Sequence, residues 1–234
     1  LVVPFPPGGV VDISGRLLAE ELGRQLGVNV IVDNKVGAGG SIAMQYVKGM
    51  AGNGHYLSTF HTGAIAGAVT GLIKVAPRAF VPVAMMVEET SLVAVRADSP
   101  LQSGTDLVAA LKADPTRLRI AVAPALGQNT HMAIAKPLQV AGVAVDRLTI
   151  APFRSSGESV TALLGGHVDL VSATAPTIMP QVQAGKLRIL ASAAQEHGSG
   201  ALAHVKTWRE QGVPADYVSY NGVMLPPGAN ADQI

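Results

Sequence analysis

Six turns hold most of the residues in this chain that could contact a solute or do chemistry: Pro6–Gly9, Gly39–Ser41, His61–Gly63, Leu126–Thr130, Phe153–Gly157 and Ala173–Thr177. Most of their residues are glycine, serine, threonine or asparagine, with little charge. Brought together, they would line a cleft with hydroxyls, amides and backbone N–H groups, a surface suited to a small polar anion. The first turn is the sharpest. In Pro4-Phe5-Pro6-Pro7-Gly8-Gly9 the prolines cannot continue a sheet ladder, because they donate no N–H. Gly8 and Gly9 let the main chain bend and let a ligand approach it. A helix reads from Asp12 on, with Ile13, Leu17, Leu18, Leu22 and Leu26 near one face, and Asp12 could cap it or favour its positive end. The turn therefore aims helix-start N–H groups at whatever lies above the strand end. A plain strand-to-helix turn explains the same residues.

Among the other turns, Gly127-Gln128-Asn129-Thr130-His131 opens a helix that Asn129 or Thr130 would cap, leaving its other N–H groups for a carboxylate. His131 reads as a ligand contact, a general base or, as is commoner at a helix start, a structural hydrogen bonder. Arg154 on a strand-end loop could grip a carboxylate with two parallel hydrogen bonds, and His61 is a comparable candidate. Phe5 and Phe153 would pack on a ligand's carbon chain or fill the core. Pro7 and Gly40 lie in the same turns and join the candidate set.

Catalytic signatures are missing. There is no Gly-Xaa-Ser-Xaa-Gly elbow and no glycine loop followed by Lys-Ser or Lys-Thr. Gly37-Ala38-Gly39-Gly40 has the wrong spacing for a dinucleotide fingerprint, and the histidines form no helical metal pair. Glu88-Glu89 reads as a solvated turn. No cofactor and no metal are expected. With 17 Lys and Arg against 16 Asp and Glu, the net charge of +1 carries no basic stripe for nucleic acid. The absence of cysteine excludes disulfides, and no apolar run reaches the roughly 18 residues of a membrane span. Hydrophobic residues make up 48% of the 234, enough for a substantial core. The sequence shows no leader at its start. It stops soon after Pro226-Pro227-Gly228, where further C-terminal residues are expected.

The elements that must position these turns alternate. Strands are expected at Leu1–Val3, Val28–Val32, Tyr56–Phe60, Phe80–Val87, Ser91–Val95, Leu118–Ala123, Leu148–Ala151, Val168–Ser172, Leu187–Ala193 and Val218–Leu225. Helices fall between them, including Thr105–Ala113, Val160–Leu164, Pro176–Ala184 and Val205–Gln211, the last with the only tryptophan, Trp208. That rhythm indicates an α/β fold with parallel sheets. Two successive runs suggest two lobes, residues 1–97 continued by 218–234, and 98–217. Hinges are expected near Arg96–Ser99 and Tyr217–Tyr220.

Spread along the chain are Val3-Pro4-Phe5-Pro6-Pro7-Gly8-Gly9 with Asp12 and Arg16, Val32-Asp33-Asn34-Lys35-Val36-Gly37-Ala38-Gly39-Gly40 and Phe80-Val81-Pro82-Val83. Leu164-Gly165-Gly166-His167-Val168-Asp169-Leu170, Gln183-Ala184-Gly185-Lys186-Leu187-Arg188 and Gln211-Gly212-Val213-Pro214 follow. In this order they resemble the Bug-type solute receptors of tripartite tricarboxylate transporters. The resemblance implies a two-lobed, type II periplasmic-binding-protein fold, here lacking the last elements of lobe one. It implies a monomeric periplasmic receptor that closes on a small carboxylate and presents it to membrane subunits. Carried over by position, it nominates Phe5, Gly8, Gly9, Thr62, Asn129, Thr130, Phe153 and Thr174 for ligand binding. The chain departs from the family at Phe153-Arg154-Ser155, Asn53-Gly54-His55 and Ala173. The rival expectation is an α/β enzyme acting on acyl substrates with His131 as base.

Overall fold

The computed structural model describes residues 1–230 of the 234; the last four residues of the expected lobe-one return lie outside the described part. In chain order the elements are β1 (Val2–Val3), α1 (Val10–Leu26), β2 (Asp33–Asn34), α2 (Ser41–Lys48), β3 (Ser58–His61), α3 (Gly63–Val69) and β4 (Val81–Arg96). There follow α4 (Gly104–Ala113), β5 (Arg119–Val122), α5 (Asn129–Val140), β6 (Thr149–Pro152), α6 (Ser156–Leu164), β7 (Leu170–Thr174), α7 (Ala175–Gln183), β8 (Leu187–Ser192) and β9 (Val218–Leu225). The chain divides into two compact units, Leu1–Glu88 with the segment from Ser219 on, and Glu89–Val218. The first crossing therefore falls inside β4, where the sequence suggested residue 97.

In unit 1, β1 pairs in parallel with β2 and with β3, and β9 runs antiparallel to β3. The first half of β4 lies beside β9, so close that a Cβ on Gly222 would meet the Ala84 carbonyl oxygen at 2.5 Å. Side chains alternate across a strand. Val2 accordingly joins Ala43, Met44 and Val47 of α2 and Phe80 in one core, while Val3 turns to α1. There Gly15 makes the contact: a Cβ at that position would stand 3.2 Å from Val3 Cγ2 and 3.4 Å from Thr59 Cγ2.

This rotates α1 away from the expected face. Val11, Asp12, Gly15 and Ala19 are its buried residues, and Ile13, Leu17 and Leu26 are 51%, 64% and 66% exposed. Close approach through a small residue has displaced the aliphatic stripe that periodicity alone would bury.

Unit 2 carries β8-β4-β7-β5-β6, with β5 parallel to β6 and β7, and β4 antiparallel to β7 and β8. Both faces are covered, as near-continuous apolar strands require. Val93, Val95, Ile120, Val122 and Leu170 point into a core with Leu107 and Leu111 of α4, Ile134 and Leu138 of α5, and Trp208. The alternate residues Leu92, Ala94, Ala121, Val171 and Ala173 pack on Val160 and Leu163 of α6 and Ile178 of α7.

Several elements differ from expectation. Val28–Val32 forms no strand; only Asp33–Asn34 pairs. Phe80–Val87 and Ser91–Val95 are one strand, with Glu88 and Glu89 inside it instead of at a turn. The expected helix at Val205–Gln211 shrinks to a 3-10 turn at Arg209–Gln211, because Trp208 is drawn wholly into the core.

The loop after β1 is held from behind by Asp12, which is buried. Its carboxylate accepts from Gly8 N–H (2.9 Å), Arg16 Nε (2.9 Å) and Asn34 Nδ2 (2.9 Å), and Asn34 Nδ2 also donates to the Phe5 carbonyl (2.9 Å). Burial pushes the Asp12 carboxyl up, yet the hydrogen bonds from Arg16, Asn34 and Gly8 outweigh it and hold the group below its ordinary value. A depressed folded-state value stabilises above the unfolded carboxylate's range, and the stabilisation is lost as pH falls through the folded value.

Two outcomes follow. Asp12→Ala should cost about 3 kcal/mol in calorimetric unfolding of unit 1 and remove part of the acid sensitivity; unchanged stability and pH profile would contradict the lock. Gly15→Leu should cost about 2 kcal/mol by overpacking, read as a lower urea midpoint; an unchanged midpoint would show that α1 can lift off the sheet at little cost.

Candidate functional site

Each unit places its candidate turns at the carboxyl ends of three parallel strands, where ligands of open α/β sheets bind. In unit 1, β1 delivers Phe5–Gly9, β2 delivers Gly37–Gly40, and β3 ends at His61 with Thr62 next. Contacts show these turns meeting. The rings of Phe5 and His61 sit edge-on with centroids 4.8 Å apart. A Cβ on Gly40 would lie 3.4 Å from Pro4 Cβ and 3.6 Å from His61 Nε2. Thr62 Oγ1 accepts from Tyr220 N–H (3.3 Å), and Thr62 N–H donates to the Tyr220 carbonyl (3.0 Å). Burial takes the His61 imidazole down to about 4, with an opposing hydrogen bond to the Gly39 main chain, so it is neutral at neutral pH. Its Nε2 is buried without a hydrogen-bond partner, in the wall of a small cavity with Pro4, Gly40 and Met44.

Pro6, Pro7, Gly8 and Gly9 are exposed. Gly8 adopts φ +86°, a conformation that favours glycine. Gly9 is the residue before α1, with φ −81° and ψ 165°, and no side chain of its own caps the helix. The first bond of α1 runs from Ile13 N–H to the Gly9 carbonyl (2.9 Å). The N–H groups from Gly9 to Asp12 therefore have no carbonyl within their own helix. Asp12 does not cap α1 directly. It accepts the amide two residues before the first helical residue, Gly8, and fixes the turn.

In unit 2 the register aligns Val122 with Pro152 and Ala121 with Val171, so the ends of β5, β6 and β7 lie side by side. Neither Asn129 nor Thr130 caps α5; that position is Gln128, whose side chain makes no capping bond. Thr130 is buried, and its hydroxyl donates to the Ala123 carbonyl (2.6 Å) and accepts from Ala123 N–H (3.0 Å). Ser172 Oγ of β7 donates to the Thr130 carbonyl (2.6 Å). The threonine thus fastens the helix start to the strand end. Asn129 Oδ1 accepts from Tyr217 Oη (3.2 Å). His131 Nδ1 accepts from Gly127 N–H (2.8 Å), and burial lowers its pKa. Both features describe a neutral ring bracing a turn.

Phe153 is half-buried against the α6–α7 core, while Arg154 is exposed, with no carboxylate in ion-pair range among the described residues. Arg154 N–H donates to Glu158 Oε2 (3.1 Å), and Ser155 Oγ caps α6 by accepting from Glu158 N–H (3.2 Å). Thr174 precedes α7 and shares a hydrogen bond with Thr177 (3.0 Å) instead of capping the helix.

A distinction follows. Ser103 and Ser155 cap α4 and α6 with their side chains, whereas the residues before α1, α2, α3, α5 and α7 do not. Sequence reading passed over Asn34 and Tyr217, whose roles depend on partners far along the chain. Among the described residues no cluster of histidine, cysteine or carboxylate could hold a metal ion, and no helix is long and apolar enough to cross a membrane.

Comparison with known proteins gives the family and the fold. Residues 14–234 match the family described as the tripartite tricarboxylate transporter family receptor. Protein BugT of Bordetella pertussis is 31% identical over 235 residues, covering 98% of this chain and 71% of its own length. Among solved structures, R. palustris Rpa4515 with adipate is 28% identical with a TM-score of 0.85, over 99% of this chain and 77% of that one. MatC (Rpa3494) from Rhodopseudomonas palustris with bound malate is 28% identical with a TM-score of 0.82, over 99% of this chain and 79% of that one. The mixed α/β fold is thus that of TctC binding proteins over most of their length, and the family is one of solute-binding receptors, not of enzymes. The chain belongs to the tripartite tricarboxylate transporter receptor family.

Proposed function

We propose that this chain is a periplasmic receptor that captures a small carboxylate between two hinged lobes and delivers it to the membrane subunits of a tripartite transporter. The observation that carries this reading is the set of helix starts without side-chain caps, α1, α2 and the short α3 in one unit and α5 and α7 in the other. All five follow carboxyl ends of parallel strands. Helix-start N–H groups favour an anion without a fixed cation, and neutral His61 brings no competing charge.

In this reading one carboxylate docks on the N–H groups that start α1, from Gly9 to Val11, with Phe5, Pro7, Gly8, Gly40, His61 and Thr62 shaping the wall; the Gly8 N–H itself stays on Asp12. Asn129, Thr130, Phe153, Arg154 and Thr174 contribute from the other lobe, Thr130 through its main chain because its hydroxyl is engaged. Arg154 suits a second carboxylate, and the malate and adipate held by relatives are both dicarboxylic. Closure is favoured because the ligand is gripped by more donors when both lobes contact it. The chain passes between the units at Glu88–Glu89 of β4 and at Val218–Ser219, and the hinge is placed there; the expected first hinge, Arg96–Ser99, falls inside unit 2.

Gly9→Val is the direct test. Its φ of −81° suits any residue, and a Cβ there would meet nothing nearer than the Pro6 carbonyl oxygen at 3.9 Å, so the variant should fold. The branched side chain should block backbone approach and reduce affinity for malate or adipate, whichever the parent binds in calorimetry, by about 100-fold or more, a loss of about 2.7 kcal/mol. Affinity within a few-fold of the parent would count against docking at this turn.

A further inference from the structure

Unit 2 carries a second feature, wholly within its own residues and independent of the receptor reading. A groove of about 490 Å³ runs along β8. Leu187, Ile189, Val205 and Val182 give it apolar walls, and Arg188, Lys206 and His204 add basic groups. No aspartate or glutamate is among its lining residues.

Arg188 is held rigidly. Its guanidinium donates to the carbonyls of Ala97 (2.8 Å), Ser99 (3.1 Å) and Leu101 (3.1 Å). Among the described residues no carboxylate pairs with Arg188 or Lys206. The one carboxylate bonded to a lining residue is that of Asp106, at the rim by the start of α4, which accepts the Gln102 N–H (2.9 Å) while the Asp106 N–H donates to Ser103 Oγ (3.1 Å). Among the described residues the groove is therefore basic along β8, with no carboxylate in its lining and Asp106 at its rim.

β8 is also an edge. Its strand partner is β4, and a single bridge joins Ser192 to Thr207. Ala97 N–H bonds the Lys186 carbonyl (2.9 Å), and Val95 stands opposite Arg188. In an antiparallel ladder, bonded pairs alternate with non-bonded ones. Leu187 and Ile189 thus turn their main-chain groups to the outer side, which is the side of the groove. The Leu190 carbonyl already accepts from Gln211 Nε2 (3.0 Å); among the described residues no comparable bond reaches Leu187 or Ile189. An open edge with alternating side-chain pockets is the template for adding a peptide strand.

We propose that this groove docks an extended acidic segment of a partner protein, added as a strand outside β8, with its apolar side chains on Leu187, Ile189 and Val205 and its carboxylates near Arg188, His204 and Lys206. Charge complementarity selects an acidic occupant over a neutral one.

The probe is a fluorescein-labelled peptide, Glu-Val-Asp-Leu-Glu-Val, compared with its amide isostere Gln-Val-Asn-Leu-Gln-Val and with succinate. The acidic peptide should bind the parent protein and slow hydrogen exchange at Leu187 and Ile189. The amide isostere should bind at least about ten-fold more weakly, and so should the acidic peptide to the double variant His204→Glu, Lys206→Glu. Both substituted residues are exposed, and the emission of buried Trp208, the only tryptophan, checks that unit 2 stays folded. Absent binding, equal binding of the isostere, or an unaffected double variant would overturn the proposal. So would protection of Leu187 and Ile189 by succinate alone, which would mark a small-anion site.

Discussion

Asp12 sets the condition on which the first unit's turn depends. A carboxylate withdrawn from water must find donors, because its desolvation is otherwise uncompensated. It finds them on α1 itself, on the loop before it and at the end of the neighbouring strand: Arg16, Gly8 and Asn34. That choice of donors fixes the loop. With Gly8 drawn back onto Asp12 and the Phe5 carbonyl held by Asn34, the chain has little freedom between the end of β1 and the first turn of α1. The N–H groups that begin the helix are then presented in one arrangement and need no reorganisation when an anion arrives. The interaction is electrostatic at its root, but its product is backbone geometry.

Unit 2 solves the same problem with neutral groups. The Thr130 hydroxyl bonds both main-chain groups of Ala123, Ser172 holds the Thr130 carbonyl, and His131 receives the Gly127 amide. Each side chain spends its hydrogen-bonding capacity on a strand end or a turn. A polar side chain in a candidate loop is therefore not always a candidate donor; here several serve as the scaffold that aims the main chain. Arg154 is the contrast, since its backbone is anchored to Glu158 while its guanidinium stays exposed.

The sequence was most legible where strands are buried on both faces. Leu118–Ala123, Val168–Ser172 and Leu187–Ala193 read as apolar runs and became β5, β7 and β8 within a residue or two, because both covered faces demand apolar side chains. Exposure made the same signal misleading in unit 1. Val28 and Ile31 remain 55% and 70% exposed and form no strand, and Gly15 rather than Leu17 meets the sheet. Local chemistry also misplaced the break in β4, since a strand accepts Glu88 exposed and Glu89 half-buried on its opposite faces. The candidate turns were legible as a set through their glycines, prolines and small polar residues. The locks behind them were not, because Asn34 bonding Phe5 and Tyr217 bonding Asn129 join residues 29 and 88 positions apart, and no local pattern announces them.

The central claim is that a carboxylate is met by main-chain N–H groups at the ends of parallel strands. Amide-resolved NMR of the 15N-labelled protein, titrated with adipate and with malate, tests it most directly. The expected result is a saturable shift of the Gly8, Gly9, Val10 and Val11 amides together with those at the start of α5. Saturable binding that leaves all of these amides unmoved, with shifts confined to side-chain signals or to surfaces elsewhere, would contradict it.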